Sequence, residues 1–299
     1  MAWWYRVQPR GAAFPGWNWR TRGLWPALLL VALMAALGTA EQAEARRLRG
    51  EYRVNFEGGG LDNRNLRLVG PGAAQVLAAS DEGLRIQIPG GSAGDELGIA
   101  PRFTIRGDFE ITAAYRIVDV PEPDGGYGVG PGVYLMLASE ENLAASLSRV
   151  RRIEEGEVYS AHVARDVPEG SGSRRQHSVQ LEPADAEWGR LRIERNGDVI
   201  RYLVAEGDEV DFRPIREAEL GPGDVTLARL ALVRNGASVP AEILWTDFSV
   251  RAERLRYGHE GSVQAAVAAA VVVLLAAAGT IVAWRLRKRP VRREAAASP

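Results

Sequence analysis

The sequence predicts an all-β domain of two packed sheets between Glu51 and Arg256. Three observations predict it. Apolar and polar residues alternate with a period of two through most of that stretch, an Asn-Gly dipeptide joins two alternating runs, and glycine-rich loops separate several others. Many short strands with regular turn signals suit two packed sheets. The roughly 200 residues available are enough for one sandwich with its own core.

Taken in chain order, the first strand is expected at Tyr52 to Phe56 and the next at Leu84 to Ile88, where Pro89-Gly90-Gly91 ends it. Phe109 to Ile117 shows the alternation most clearly. Phe109, Ile111, Ala113, Tyr115 and Ile117 fall on one face, and Glu110, Thr112, Ala114 and Arg116 on the other. Further strands are expected at Val133 to Leu137, Glu157 to Arg165, Ser178 to Leu181, Leu227 to Val233 and Ile243 to Arg251. The loops Glu122 to Gly132 and Glu169 to Ser173 are rich in glycine. A weak helical period marks Glu140 to Val150. Leu191 to Tyr202 reads as a hairpin about Asn196-Gly197, because a type I′ turn needs two residues with positive φ. That turn would set Arg195 opposite Asp198, Ile193 opposite Ile200 and Leu191 opposite Tyr202.

Both flanks look like membrane segments. Residues 1–45 carry Arg6, Arg10, Arg20 and Arg22, then the apolar run Leu24 to Leu37, then small residues. Charged, apolar, small is the order of a secretory signal, with cleavage after Ala40 or Ala45; an uncleaved anchor is the alternative. Val263 to Trp284 is free of charge and long enough to cross a ~30 Å hydrocarbon core. The basic tail 285–299 follows, with Arg285, Arg287, Lys288, Arg289, Arg292 and Arg293. By the positive-inside rule that tail is cytoplasmic and the β domain faces outward.

Composition removes several function classes. The chain has no cysteine, which excludes disulfides and cysteine-based catalysis or metal binding. Residues 51–256 hold 24 arginines against 34 acidic residues, a net charge of −10. Such a domain repels phosphate backbones, so nucleic acid is not an expected partner.

The blocks Gly107-Asp108-Phe109-Glu110-Ile111-Thr112, Gly126-Tyr127-Gly128-Val129-Gly130, Gly156-Glu157-Val158-Tyr159, Tyr202-Leu203-Val204-Ala205-Glu206-Gly207 and Asp247-Phe248-Ser249-Val250-Arg251-Ala252 occur in a fixed order. The stretch resembles the concanavalin A-like jelly-roll modules of bacterial surface proteins, and more narrowly a planctomycete domain family of unknown function. The resemblance covers nearly all of Glu51 to Arg256. It implies a jelly-roll β-sandwich and no particular activity, since such folds serve lectins, glycosidases and spacers alike.

Glycosidases of that superfamily use a Glu-x-Asp-x-x-Glu strand. The nearest match is Glu209-Val210-Asp211-Phe212-Arg213-Pro214, where Pro214 replaces the second glutamate, so the acid/base partner is missing. The segment reads as a solvated acidic loop. His162, His177 and His259 have no metal-ligand spacing. Gly125 to Gly130 leads into a strand and lacks a phosphate-loop ending. No cofactor is expected; calcium near Asp208 and Asp211 stays open. Arg116 and Tyr134, pointing away from the apolar sides of their strands, and Tyr127 in a bordering loop, are the candidate ligand-binding residues on one concave sheet face. Trp188 and Trp245 are expected as core or rim anchors.

The reading is a membrane-anchored, non-catalytic module outside the cytoplasmic membrane that recognises a glycan or a partner protein. Two alternatives stay open. One is a structural or assembly subunit of an envelope complex, and the other is a glycoside hydrolase with a carboxylate pair elsewhere.

Overall fold

Period-two alternation gives most of the strands one side to hide, and two packed layers hide those sides against each other. The structure is a computed structural model that describes residues 48–91, 97–170 and 172–257. By its contacts the chain divides into two units, Met1–Leu48 and Arg49–Pro299, and the fold belongs to the second. The expected signal segment 1–45, the span 263–284 and the tail 285–299 lie outside the described residues. Among the described residues no helix is long and apolar enough to cross a membrane.

In chain order the elements are β1 (Gly50–Asn55), β2 (Leu66–Val69), a single helical turn α1 (Ala73–Val76), β3 (Leu77–Ser80), β4 (Gly83–Ile88), β5 (Gly98–Pro101), β6 (Phe103–Asp119) and β7 (Gly130–Leu137). There follow β8 (Ala144–Arg152), β9 (Gly156–Glu169), β10 (Gly172–Pro183), β11 (Trp188–Asn196), β12 (Val199–Glu206), β13 (Arg213–Glu219), β14 (Val225–Val233) and β15 (Ala241–Tyr257). All pairings are antiparallel.

The hydrogen-bonded path runs β10-β9-β8-β7-β14-β6-β11-β12-β13. It folds over between β14 and β6, which share only the pair Val225 and Ile105. One layer therefore holds β13, β12, β11, β6 and β15, with β1, β4 and β3 beyond. The other holds β10, β9, β8, β7 and β14, with β5 and β2 beyond. Ile111, Ile193 and Tyr202 of the first layer share one buried cluster with Leu135, Leu147 and Ala161 of the second. The result is an all-β, jelly-roll-like sandwich.

Polar ties cross this core. The Tyr115 and Tyr159 hydroxyls lie 3.1 Å apart, and the Tyr202 hydroxyl donates to the His162 carbonyl at 2.9 Å. Burial pushes the Tyr115 hydroxyl up to about 12, so it stays protonated at any ordinary pH. Arg195, buried on the inward side of β11, donates to the carbonyls of Gly107 and Gly223 and lies 4.9 Å from the Phe109 ring centre. It ties the end of β11 to β6 and to the segment before β14.

Two sequence expectations need correction. The β11–β12 hairpin pairs Asn196 with Val199, Arg195 with Ile200 and Ile193 with Tyr202. The central turn residues are thus Gly197 and Asp198. Gly197 has φ 61°, and Asn196 and Asp198 are not among the residues with positive φ. A glycine at the first central position is the type II′ solution, which replaces the expected type I′ turn. Both sides move by two partners, so every side chain keeps its expected face. The second correction is Glu140 to Val150, which supplies β8 and no helix. Leu143, Leu147 and Val150 are spaced i, i+4, i+7, which mimics a helical stripe. The inward side is instead Ala145 and Leu147, two residues apart.

Candidate functional site

Register places the outward side chains of the second layer in rows that cross its strands. One row runs Arg229 (β14), Tyr134 (β7), Ser146 (β8), His162 (β9) and Val179 (β10). The rows on either side are built largely of small residues. One is Leu227, Met136, Ala144, Ala164 and His177, and the other is Gly98, Ala231, Gly132, Ser148 and Ser160. Ala144, Ala164 and Ala231 are buried although they belong to the outward face and lie outside the core cluster. These small side chains make the middle of the face lower than Tyr134 on one side and the histidines on the other, and that strip is the trough. Gly132 keeps its floor low: a Cβ there would sit 3.1 Å from the Ser148 Cβ and 3.3 Å from the Val233 Cγ1.

Tyr134 forms one side of this trough. The Arg229 guanidinium stacks 5.0 Å from its ring centre and is 6 % exposed, which fixes the ring orientation. Two imidazoles form the other side. His162 Nε2 lies 2.9 Å from His177 Nδ1, and the rings are stacked with centres 5.1 Å apart. Burial, then the neighbouring His177, Arg216 and Arg175, lowers the His162 pKa to about 4. His162 is therefore neutral near pH 7 and can accept or donate one hydrogen bond. Ser146 Oγ lies 3.5 Å from His162 Nδ1. That contact is long, and the other ring nitrogen turns to His177 rather than to a carboxylate. The pair lacks the orienting acid of a nucleophilic triad. What the trough offers is an aromatic face, hydroxyls and a stacked pair of imidazoles.

The three candidates from the sequence do not converge. Tyr134 lines the trough. Tyr127 is 74 % exposed in the loop before β7, and its carbonyl accepts a hydrogen bond from Arg152 Nη1 at 3.0 Å. Arg116 points outward from the first layer, opposite Trp188 on β11. The thickness of the sandwich separates it from Tyr134, so one ligand cannot touch both. Trp245 is fully buried in the core, whereas Trp188 is 48 % exposed. His162 and His177 have no metal-ligand spacing in the sequence, yet the β9–β10 hairpin stacks one on the other.

Carboxylates gather elsewhere. Glu110 on β6 and Glu194 on β11 are direct cross-strand partners on the outward face of the first layer. Arg192 bridges them at 3.4 and 3.5 Å, Arg251 approaches Glu110 at 3.7 Å, and Arg201 approaches Glu194 at 3.8 Å. Arg192 also donates to Thr112 Oγ1 and lies 3.8 Å from the Phe212 ring centre. Burial raises the Glu194 pKa, and Glu110 adds to the rise while Arg192 opposes it. Both carboxylates are held in a guanidinium lattice. Residues Glu209 to Phe212 form a loop, with Val210 81 % exposed, and β13 begins at Arg213. Among the described residues no group of three or more His, Asp or Glu is placed to hold a metal ion.

Comparison with known proteins adds the following. The family model described as "Protein of unknown function (DUF1583) C domain" matches residues 32–272. A search of the curated proteins gives no match. Among solved structures, a glycoside hydrolase family protein from Mycobacterium thermorestibile is similar at 12 % identity and a TM-score of 0.46, over 67 % of this chain and 99 % of that one. LamA from Z. galactanivorans, in complex with laminaritriose and laminaritetraose, is similar at 10 % identity and a TM-score of 0.47, over 68 % and 99 %. A legume lectin-like domain from Entamoeba histolytica is similar at 12 % identity and a TM-score of 0.42, over 67 % and 96 %.

Proposed function

The chain belongs to the family described as protein of unknown function (DUF1583) C domain, and from that premise we propose that it is a non-catalytic carbohydrate-binding module anchored outside the cytoplasmic membrane. The observation that carries the reading is the trough. Tyr134 and the His162–His177 pair face each other across Ser146, over a floor of alanine, glycine and serine. A sugar ring presents C–H faces to an aromatic side chain and hydroxyls to its rim, and these residues answer both. No carboxylate belongs to the three rows of the trough, and Glu110 and Glu194 are tied to arginines on the other surface. That arrangement supports binding without hydrolysis. Anchoring rests on the uncharged segment 263–284 and the basic tail behind it.

A glycan array probed with the full-length chain tests the reading. Selective binding that weakens with Tyr134→Ala, together with no release of reducing sugar from the bound glycans, is the expected result. Cleavage of a bound glycan would move the chain to the hydrolases. Assembly within an envelope complex is the second reading. It is favoured by β10, a twelve-residue edge strand that is exposed along most of its length. An empty array and recovery of a stable membrane partner would support it instead.

A further inference from the structure

A second feature lies at the far corner of the first layer. Strands β4, β15 and β6 end together there, with Ala241 opposite Ile88 and Glu242 opposite both Gln87 and Asp119. The turn α1 lies beside these ends and leaves a cavity of about 460 Å³, open to solvent and lined by Gln75, Val76, Gln87, Asp119, Pro240 and Glu242, among others. That volume lies in the range of small-molecule sites.

The rim of the cavity is built. Arg234, 1 % exposed, donates to the carbonyls of Pro89 and Val239 at 3.5 and 3.4 Å, and Gly91 N–H donates to the Ser238 carbonyl at 2.7 Å. The two turns that carry Pro89 and Pro240 are thereby locked side by side. Glu242 is held by an ion pair with Arg85. The side chains of Gln75, Gln87 and Asp119, by contrast, have no hydrogen bond or ion pair to another described residue, and all three line the cavity.

We propose that this cavity is a binding site for one neutral pyranose unit, separate from the trough. Asp119 can accept from two neighbouring hydroxyls, and each glutamine can donate and accept. Val76, Pro89 and Pro240 give the C–H faces of the ring an apolar seat. Charge sets the class. Arg85 neutralises Glu242, Asp119 is uncompensated, and no basic side chain is among the described residues that line the cavity, so uronates and sulfated sugars are repelled. No aromatic ring lines it either, which places the affinity for a single unit at about millimolar.

Saturation-transfer NMR on the full-length chain tests this, with methyl glucoside, methyl mannoside and methyl galactoside as neutral probes and glucuronate as the anionic one. Transfer to at least one neutral probe and none to glucuronate is expected. Asp119→Ala combined with Gln87→Ala should weaken the affinity at least tenfold. Both exposed positions tolerate truncation, and a thermal melt within two degrees of the parent confirms the fold. The proposal fails if no neutral probe shows transfer or if glucuronate binds as well. It also fails if the double variant binds like the parent. Transfer lost with Tyr134→Ala but kept in the double variant would assign the sugar to the trough alone. Failure of the trough reading leaves the Asp119 result standing, so the two fail separately.

Discussion

A tyrosine facing an arginine is ordinary surface until its neighbours prove small. Tyr134 and Arg229 become a candidate contact because Gly132, Ala144 and Ser146 leave the ring standing above its surroundings. Truncating Tyr134 to alanine should weaken glycan binding about tenfold, since the lost stacking and area are worth roughly 1–2 kcal/mol. Stability should change little. Arg116→Ala, on the opposite surface, should leave the affinity unchanged; titration of one glycan against both variants decides this. His162 carries a pH dependence. Its folded pKa of about 4 lies below the unfolded value near 6.5, so stability is complete above about pH 6.5 and falls as pH drops toward 4. Solvent screening at this partly exposed site holds the loss to about 1 kcal/mol. His177, Arg216 and Arg175 face the ring and produce part of the shift. Urea midpoints at pH 4.5 and 7 should therefore differ less in His162→Gln than in the parent. The outward alternation of Tyr134 was legible in the sequence. The meeting of the two histidines was legible only in principle. The segments Glu157 to Arg165 and Ser178 to Leu181 read as strands either side of a glycine-rich loop, and folding them together brings residues 162 and 179 opposite, with 177 diagonal.

At the scale of the element, the hairpin of β11 and β12 shows what local signals can and cannot settle. The alternation of Leu191 and Ile193 fixed which side faces the core, but not which two residues make the turn. A slip of one would expose the apolar side, whereas a shift of two changes no face and leaves no trace in the pattern. Tertiary contacts decide it. Asp108 Oδ1 accepts from Gly197 N–H at 2.7 Å, and the Asp198 carbonyl accepts from Leu220 and Gly221 N–H. Gly197→Ala forces a side chain to φ 61° and should cost about 1 kcal/mol, although nothing stands within 4 Å of the new Cβ. Asn196→Ala should cost less, because Asn196 is outside the turn centre and its φ is not positive. In an Asn-Gly turn both substitutions would be costly, because both central positions would need positive φ. Urea unfolding of the two variants separates the cases. β8 was illegible for a related reason: three apolar residues at helical spacing outweighed a two-residue alternation diluted by alanine and serine.

For the whole molecule, the class of fold is readable where the layer assignment is not. Alternation in strand after strand implies two sheets packed on one core. It does not say that β7 lies against β14 in one layer while β6 lies against β15 in the other, since those partners are more than eighty residues apart. Arg116 and Tyr134 look equivalent in sequence and end on opposite surfaces for that reason alone. Orientation across a membrane is a further whole-chain property, and the absence of cysteine makes it measurable. One thiol can be placed at Ser173, exposed on β10, and another at Ser298, after the arginine cluster of the basic tail. If the cluster from Arg285 to Arg293 stays in the cytoplasm, a membrane-impermeant maleimide should label Ser173→Cys in intact spheroplasts. It should reach Ser298→Cys only after permeabilisation. The reverse pattern would put the trough inside the cell and remove an extracellular glycan as its ligand. Labelling of both in intact spheroplasts would mean that 263–284 does not cross the membrane. The acidic domain would then be held at the surface, if at all, by what it binds.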